Sequence, residues 1–217
     1  MLELVILDCD GVLVDSEPLS NQAMAEALTA IGLPCTQEDC VRDFLGRSMA
    51  SVLEEVTRRL GRPAPDGFEA DFRARAQIAF TRELEPVPGV AAALDRIATP
   101  TCVASSGPHA KIRFTLGHTG LLERFEGRIF SASEVARGKP APDLFRHAAA
   151  RLRVAPARCA VVEDSPVGVA AARAAGMHAL GFAGRTPAAA LAGARTFTDM
   201  AELPELLREK GAAVSYS

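Results

Sequence analysis

The sequence predicts an α/β fold: a doubly wound parallel sheet interrupted after its first strand by an all-helical insertion. Three observations predict it. From residue 101 onward, short apolar runs alternate with helical patterns, as in βαβ units. One further apolar run, Leu4-Val5-Ile6-Leu7, is separated from all of these by almost a hundred residues. Between Ser16 and Glu85 no strand pattern occurs, and apolar residues recur at helical spacing. The expected division is a core of residues 1–15 and 87–217 and an insertion of residues 16–86.

In chain order, Leu2 to Leu7 reads as a strand that ends in Asp8-Cys9-Asp10-Gly11. Ser16 is an N-cap candidate with Pro18 in the first turn; Ala23, Ala27, Leu28 and Ile31 form an apolar stripe, and Gly32 can stop the helix. A second helix is expected over residues 36–44. A third is capped by Ser48 and runs through Val52 and Val56 to Leu60. Asp66 and Glu69 have capping-box spacing for a fourth, ending near Arg82. Glu85-Pro86-Val87-Pro88-Gly89 is a linker. Helices are then expected at 90–98, from about 107, and at 143–152 and 166–175. Strands are expected at 101–104, 128–131, 159–162, 178–182 and 196–198.

Composition bounds the class. The chain has 217 residues, is 48% hydrophobic and 24% charged, and carries a formal charge of -3, which argues against a nucleic-acid or anionic-membrane surface. No apolar run approaches the ~20 residues of a membrane span. The start lacks a basic segment followed by a signal-type apolar region. Cys9, Cys35, Cys40, Cys102 and Cys159 are odd in number and form no C-x-x-C pair. Reduced thiols in a cytoplasmic protein, monomeric or weakly dimeric, are the expectation. Cys9, between the two aspartates, is expected to face the core.

The chemistry is read at the strand ends, because ligands of such sheets sit beyond the carboxyl ends of the strands. Asp8 and Asp10, two positions apart, project the same way where the first strand frays. Two adjacent carboxylates repel and call for a hard divalent cation, most simply Mg²⁺. The same residues also suit an acidic turn. An EF-hand fits poorly, since glycine falls at the fourth place and no helix precedes. The second strand ends at Ser105-Ser106-Gly107, hydroxyls and backbone N–H groups apt for phosphate. Lys139, one of three lysines, lies in Arg137-Gly138-Lys139-Pro140-Ala141-Pro142-Asp143, a loop that two prolines rigidify. The fourth strand ends at Glu163-Asp164. Each signal alone has a plain structural explanation. Together they supply metal-binding carboxylates, a nucleophile and a cationic hydroxyl cradle, which is what phosphoryl transfer needs.

These residues resemble, over essentially the whole length, the four motifs of the haloacid dehalogenase-like hydrolase superfamily. Asp8-Cys9-Asp10-Gly11-Val12 is similar to the first, Ser105 to the second, Lys139-Pro140 to the third and Glu163-Asp164 to the fourth. The insertion looks like the helical cap of the branch holding β-phosphoglucomutase and small sugar-phosphate phosphatases, set on a Rossmann-like core. The resemblance implies that Asp8 is the nucleophile and that Asp10 exchanges protons and offers its backbone carbonyl to the metal. It implies further that Asp164 and Glu163 complete a Mg²⁺ site, that Ser105 and Lys139 bind the transferring phosphoryl group, and that Ser106 contributes its backbone.

Relatives within the superfamily narrow the expectation. Asp10 argues against dehalogenation, and the absence of lysine between Ser16 and Glu85 argues against a Schiff-base phosphonatase. Where β-phosphoglucomutase has a cap histidine and a Lys-Gly-x-Ser-Arg stretch, this chain reads Ser20 and Leu45-Gly46-Arg47-Ser48-Met49. Hydrolysis is therefore favoured over a phosphosugar mutase. Ser20, Gly46 and Arg47 are the expected specificity residues of the cap. Ser20 and the run Ser105 to His109 look like the 6-phosphogluconate phosphatase-type branch. Arg73 and Arg75 either face an acidic substrate or form a solvated helix face. The expected partner is a small phosphorylated metabolite. A non-catalytic phosphometabolite-binding protein on the same fold is the reading from another class.

Overall fold

In the computed structural model, which describes residues 1–44 and 49–212 with side chains to 209, all four residues of β1 (Leu4–Leu7) are buried. A strand covered on both faces by helices carries such a continuous apolar run. β1 is central in a six-stranded sheet completed by β2 (Thr101–Ser105), β3 (Ile129–Ser131), β4 (Cys159–Glu163), β5 (His178–Phe182) and β6 (Arg195–Phe197). Every pairing is parallel and the order is β3-β2-β1-β4-β5-β6. The chain winds outward from β1 to β3, then returns to lay β4 against β1. That reversal is a topological switch point, where a crevice opens beyond the strand ends. Leu7 is in register with Val162, so Asp8 and Glu163 emerge side by side.

The helices are α1 (Glu17–Ala30), α2 (Gln37–Phe44), α3 (Met49–Leu60), α4 (Phe68–Glu83), α5 (Val90–Arg96), α6 (His109–His118), α7 (Asp143–Arg151), α8 (Pro166–Ala175) and α9 (Leu203–Ala212). Leu144, Phe145, Ala148 and Ala149 of α7 and Ala171, Ala172 and Ala175 of α8 join Leu4, Ile6, Cys102, Ala104 and Val161 in one apolar cluster. The alanines let α8 pack tightly against the sheet. Cys9 is buried with its Sγ 3.6 Å from Thr115 Oγ1, a packing role.

The chain divides into two compact units, Met1–Asp15 with Glu85–Ser217, and Ser16–Leu84. The second unit has its own apolar cluster, which includes Met24, Leu28, Cys40, Phe44, Val52, Val56 and Phe68. The two chain segments that border it are joined within the first unit. Asp15 N–H donates to Glu85 O at 3.0 Å, Val87 N–H to Leu13 O at 3.0 Å, and Val14 bridges Pro86. Arg185 holds Asp15 through both carboxylate oxygens, at 2.7 and 2.5 Å.

Several helix starts differ from the sequence expectation. Ser16 stands at the N-cap position of α1 with Pro18 in the first turn, as expected, but it is buried, its backbone is helical and its side chain makes no capping hydrogen bond; Pro18 and the acidic Glu17 favour that helix end. The Asp66–Glu69 capping box does not form. Gly67, at φ 85°, takes the N-cap position and α4 starts at Phe68, because that left-handed turn buries the Phe68 ring. β2 extends one residue further, to Ser105, and α6 starts at His109 after Pro108, later than expected. α9 has no counterpart among the elements read from the sequence.

Candidate active site

Lys139 organises the site. Its Nζ donates to Asp8 Oδ1 at 2.7 Å, to Glu163 Oε1 at 2.5 Å and to Ala104 O at 3.2 Å. It also lies 4.9 Å from the centre of the Phe145 ring, a further favourable place for a cation. The side chain is 4% exposed. Its loop is closed by an Ala141 N–H to Gly138 O hydrogen bond and by a two-point Arg137–Asp143 pair. Burial opposes the charge of Lys139, but Asp8 and Glu163 outweigh it and raise its pKa.

Asp8 leaves β1 buried, its N–H donating to Val162 O at 3.0 Å. Burial pushes its carboxyl up to about 7; Lys139 pulls it down, and Glu163 and Asp10 push it further up. Glu163 accepts Lys139 on Oε1, and on Oε2 it accepts the Ser165 N–H at 3.2 Å and hydroxyl at 2.8 Å. Ser165 in turn accepts from Gly168 N–H and caps α8. Donor oxygens of Asp8, Glu163 and Asp164 all lie within 4.8 Å of one another. Three buried carboxylates this close together repel one another, and hard oxygen donors suit a hard divalent cation. The set therefore fits the Mg²⁺ expected from the sequence.

Two glycines make this crowding feasible. A Cβ on Gly11, at φ 78°, would stand 2.0 Å from Asp164 Oδ2. One on Gly168 would stand 1.9 Å from Glu163 Cδ. Alanine favours a helix over glycine by about 1 kcal/mol. Even so, Gly168→Ala is expected to lower stability by about 1–3 kcal/mol through overpacking, because Glu163 is tethered to Lys139 and Ser165 and has nowhere to move. Chemical denaturation checks this, and a midpoint at or above that of the wild type would contradict it.

The remaining predicted residues fall as follows. Ser105 is buried at the end of β2, and its Oγ accepts from Gly107 N–H at 3.2 Å, leaving the hydroxyl proton to donate. Ser106 is exposed in the turn that follows. Asp10, partly buried, is not one of the three clustered carboxylates; its Oδ2 accepts from Lys111 Nζ at 2.8 Å. Sequence reasoning assigned Lys111 no part in the site. Its rarity as one of three lysines was the available signal. Ser20 lies half-buried in the first turns of α1, in the helical unit. Gly46 and Arg47 lie outside the described residues. Arg73 pairs with Glu69 and Arg75 with Asp71, one helical turn apart, the pattern of a solvated helix face.

Residues 2–176 match the haloacid dehalogenase-like hydrolase family. The chain is 32% identical over 214 residues to 6-phosphogluconate phosphatase of Escherichia coli (strain K12), covering 97% of this chain and 96% of that one. A conserved haloacid dehalogenase-like protein of unknown function from Agrobacterium tumefaciens superposes with a TM-score of 0.88 at 34% identity, covering 97% of this chain and 100% of that one. A hydrolase of the same family from Deinococcus radiodurans, solved with bound phosphate and sodium, superposes with a TM-score of 0.81 at 32% identity, covering 97% and 96%. Among the described residues no helix is long and apolar enough to cross a membrane.

Proposed function

The chain belongs to the haloacid dehalogenase-like hydrolases, and from that premise we propose that it hydrolyses a small sugar or sugar-acid phosphate through a phospho-enzyme on Asp8. The observation that carries this reading is the buried ammonium of Lys139 held on both Asp8 and Glu163, at 2.7 and 2.5 Å. A structural ion pair needs one carboxylate. Here Asp8, Glu163 and Asp164 crowd together at the sheet's switch point, an arrangement that favours a bound cation. The phosphatase name of the E. coli relative and the phosphate bound in the D. radiodurans structure support the same chemistry.

The contacts support the roles that the resemblance implies. Lys139 takes Asp8 Oδ1, so the other oxygen attacks phosphorus. The phosphoryl oxygens are received by the Lys139 ammonium, the Ser105 hydroxyl and the backbone N–H of Ser106. Asp10 gives a proton to the leaving oxygen and later takes one from water, splitting one difficult step into two. Asp8, Asp164, Glu163 and the Asp10 carbonyl would hold Mg²⁺, which when bound neutralises the carboxylates and the charge on the transferring group. The helical unit, with Ser20, Gly46 and Arg47, is assigned the choice of substrate.

A phosphate-ester screen with Mg²⁺, read as free phosphate, tests the proposal; sugar and sugar-acid phosphates are expected to be the best substrates. If β-glucose 1-phosphate and a bisphosphate primer yielded glucose 6-phosphate rather than free phosphate, the protein would be a mutase. Tight binding of esters without turnover would make it a binding protein.

A further inference from the structure

Of 24 basic residues only three are lysines, and two of them stand on the carboxylates given chemical roles above, Lys139 on Asp8 and Lys111 on Asp10. Arginine does other work. Arg185 grips Asp15, Arg113 grips Glu126 and Arg137 grips Asp143, each through both oxygens. A guanidinium fork fixes a carboxylate at two points, whereas an ammonium is a point charge that engages one oxygen and lets the group pivot. Lys111 engages Asp10 through Oδ2 at 2.8 Å. Its stem crosses Gly107, where a Cβ would lie 3.4 Å from Lys111 Cδ, and Gly107 N–H is bonded to Ser105 Oγ. Lys111 thus runs beside the turn that carries Ser105 on its way to Asp10.

We propose that Lys111 is a positioning residue for Asp10, holding it by one oxygen so that the carboxylate meets the attacking water. This rests on the roles proposed for Asp8 and Asp10. In the second half of turnover, the water oxygen bonds to phosphorus and the bond from phosphorus to the Asp8 oxygen breaks, restoring that carboxylate. Asp10 takes the proton that water gives up, which regenerates the acid for the next leaving oxygen. A displaced Asp10 slows this half, and with it breakdown of the phospho-enzyme.

The test uses p-nitrophenyl phosphate with Mg²⁺, whose leaving group departs without a proton. For Lys111→Met, kcat is expected to fall about tenfold. Because kcat/KM ends at transfer to Asp8, it should stay within about twofold, and a burst of about one equivalent of p-nitrophenolate should precede steady state. A parallel fall in kcat and kcat/KM, or a raised KM at unchanged kcat, would overturn the proposal. Lys111→Arg is expected to keep kcat low; full wild-type kcat would refute the single-oxygen contact. Asp10→Asn separates the two layers. A burst in Asp10→Asn but none in Lys111→Met sinks this inference alone, while no burst in Asp10→Asn sinks the roles beneath it.

Discussion

Asp8→Asn is expected to reduce turnover by ~10⁴-fold or more while leaving the fold intact. The amide keeps the shape of the side chain and lacks the charge that attacks phosphorus. Stability should not suffer, for an electrostatic reason. Burial holds the Asp8 carboxyl near pH 7 rather than 3.8, so without metal the ionised form is disfavoured in the folded state. Folding then takes up a proton between about pH 4 and pH 7, and the metal-free fold loses stability as pH rises through that window. The variant removes this loss, and Lys139 keeps Glu163 as its partner. Metal-free melting at pH 8 should place Asp8→Asn at or above the wild type, with a flatter dependence between pH 4 and 7. Substantial turnover by the variant would disprove the nucleophile assignment.

Chelation with EDTA is expected to abolish turnover, and added Mg²⁺ to restore it. The carboxylates of Asp8, Glu163 and Asp164 lie within 4.8 Å of one another and repel when ionised, so the ion should also stabilise the fold. Mg²⁺ at about 100 times its dissociation constant adds about 2.7 kcal/mol by mass action, visible as a raised melting temperature. Asp164→Asn, which removes one donor charge, should lose most of that rise. Turnover that survives exhaustive chelation would point to a different mechanism.

The parallel sheet and its site were legible because buried strands advertise themselves twice, by β-branched apolar runs and by the polar residues that end them. Asp8, Ser105, Glu163 and Asp164, scattered over more than 150 residues, stood out at strand ends, and Lys139 as a rare lysine in a proline-containing loop; the resemblance joined them into one candidate site. The missed features depend on distance in space. Nothing local to Gly168 says that the Glu163 carboxylate occupies its missing side chain, and nothing local to Lys111 says that Asp10 lies within 2.8 Å. The Asp66–Glu69 capping box failed because burial of Phe68 outweighed a local hydrogen-bond preference. α9 was readable, since Leu203, Leu206 and Leu207 are buried at helical spacing, but the charged run of Glu205, Arg208, Glu209 and Lys210 resembles a polar tail.

The hydrogen bonds that stitch Leu13–Asp15 to Glu85–Val87 also bear on how the chain finds its fold. β1 and β2 pair in register, Val5 with Thr101, across the entire helical insertion. Closing so long a loop costs entropy before any contact rewards it, and such pairings slow folding. The helical unit has its own apolar cluster and its two ends meet at Asp15 N–H and Glu85 O. Once its helices have formed, the search left to β1 and β2 is that of a short connection rather than a long one. The insertion then acts as a splint for the central strand pair, and unfolding it selectively should slow assembly of the sheet far more than it weakens the finished one.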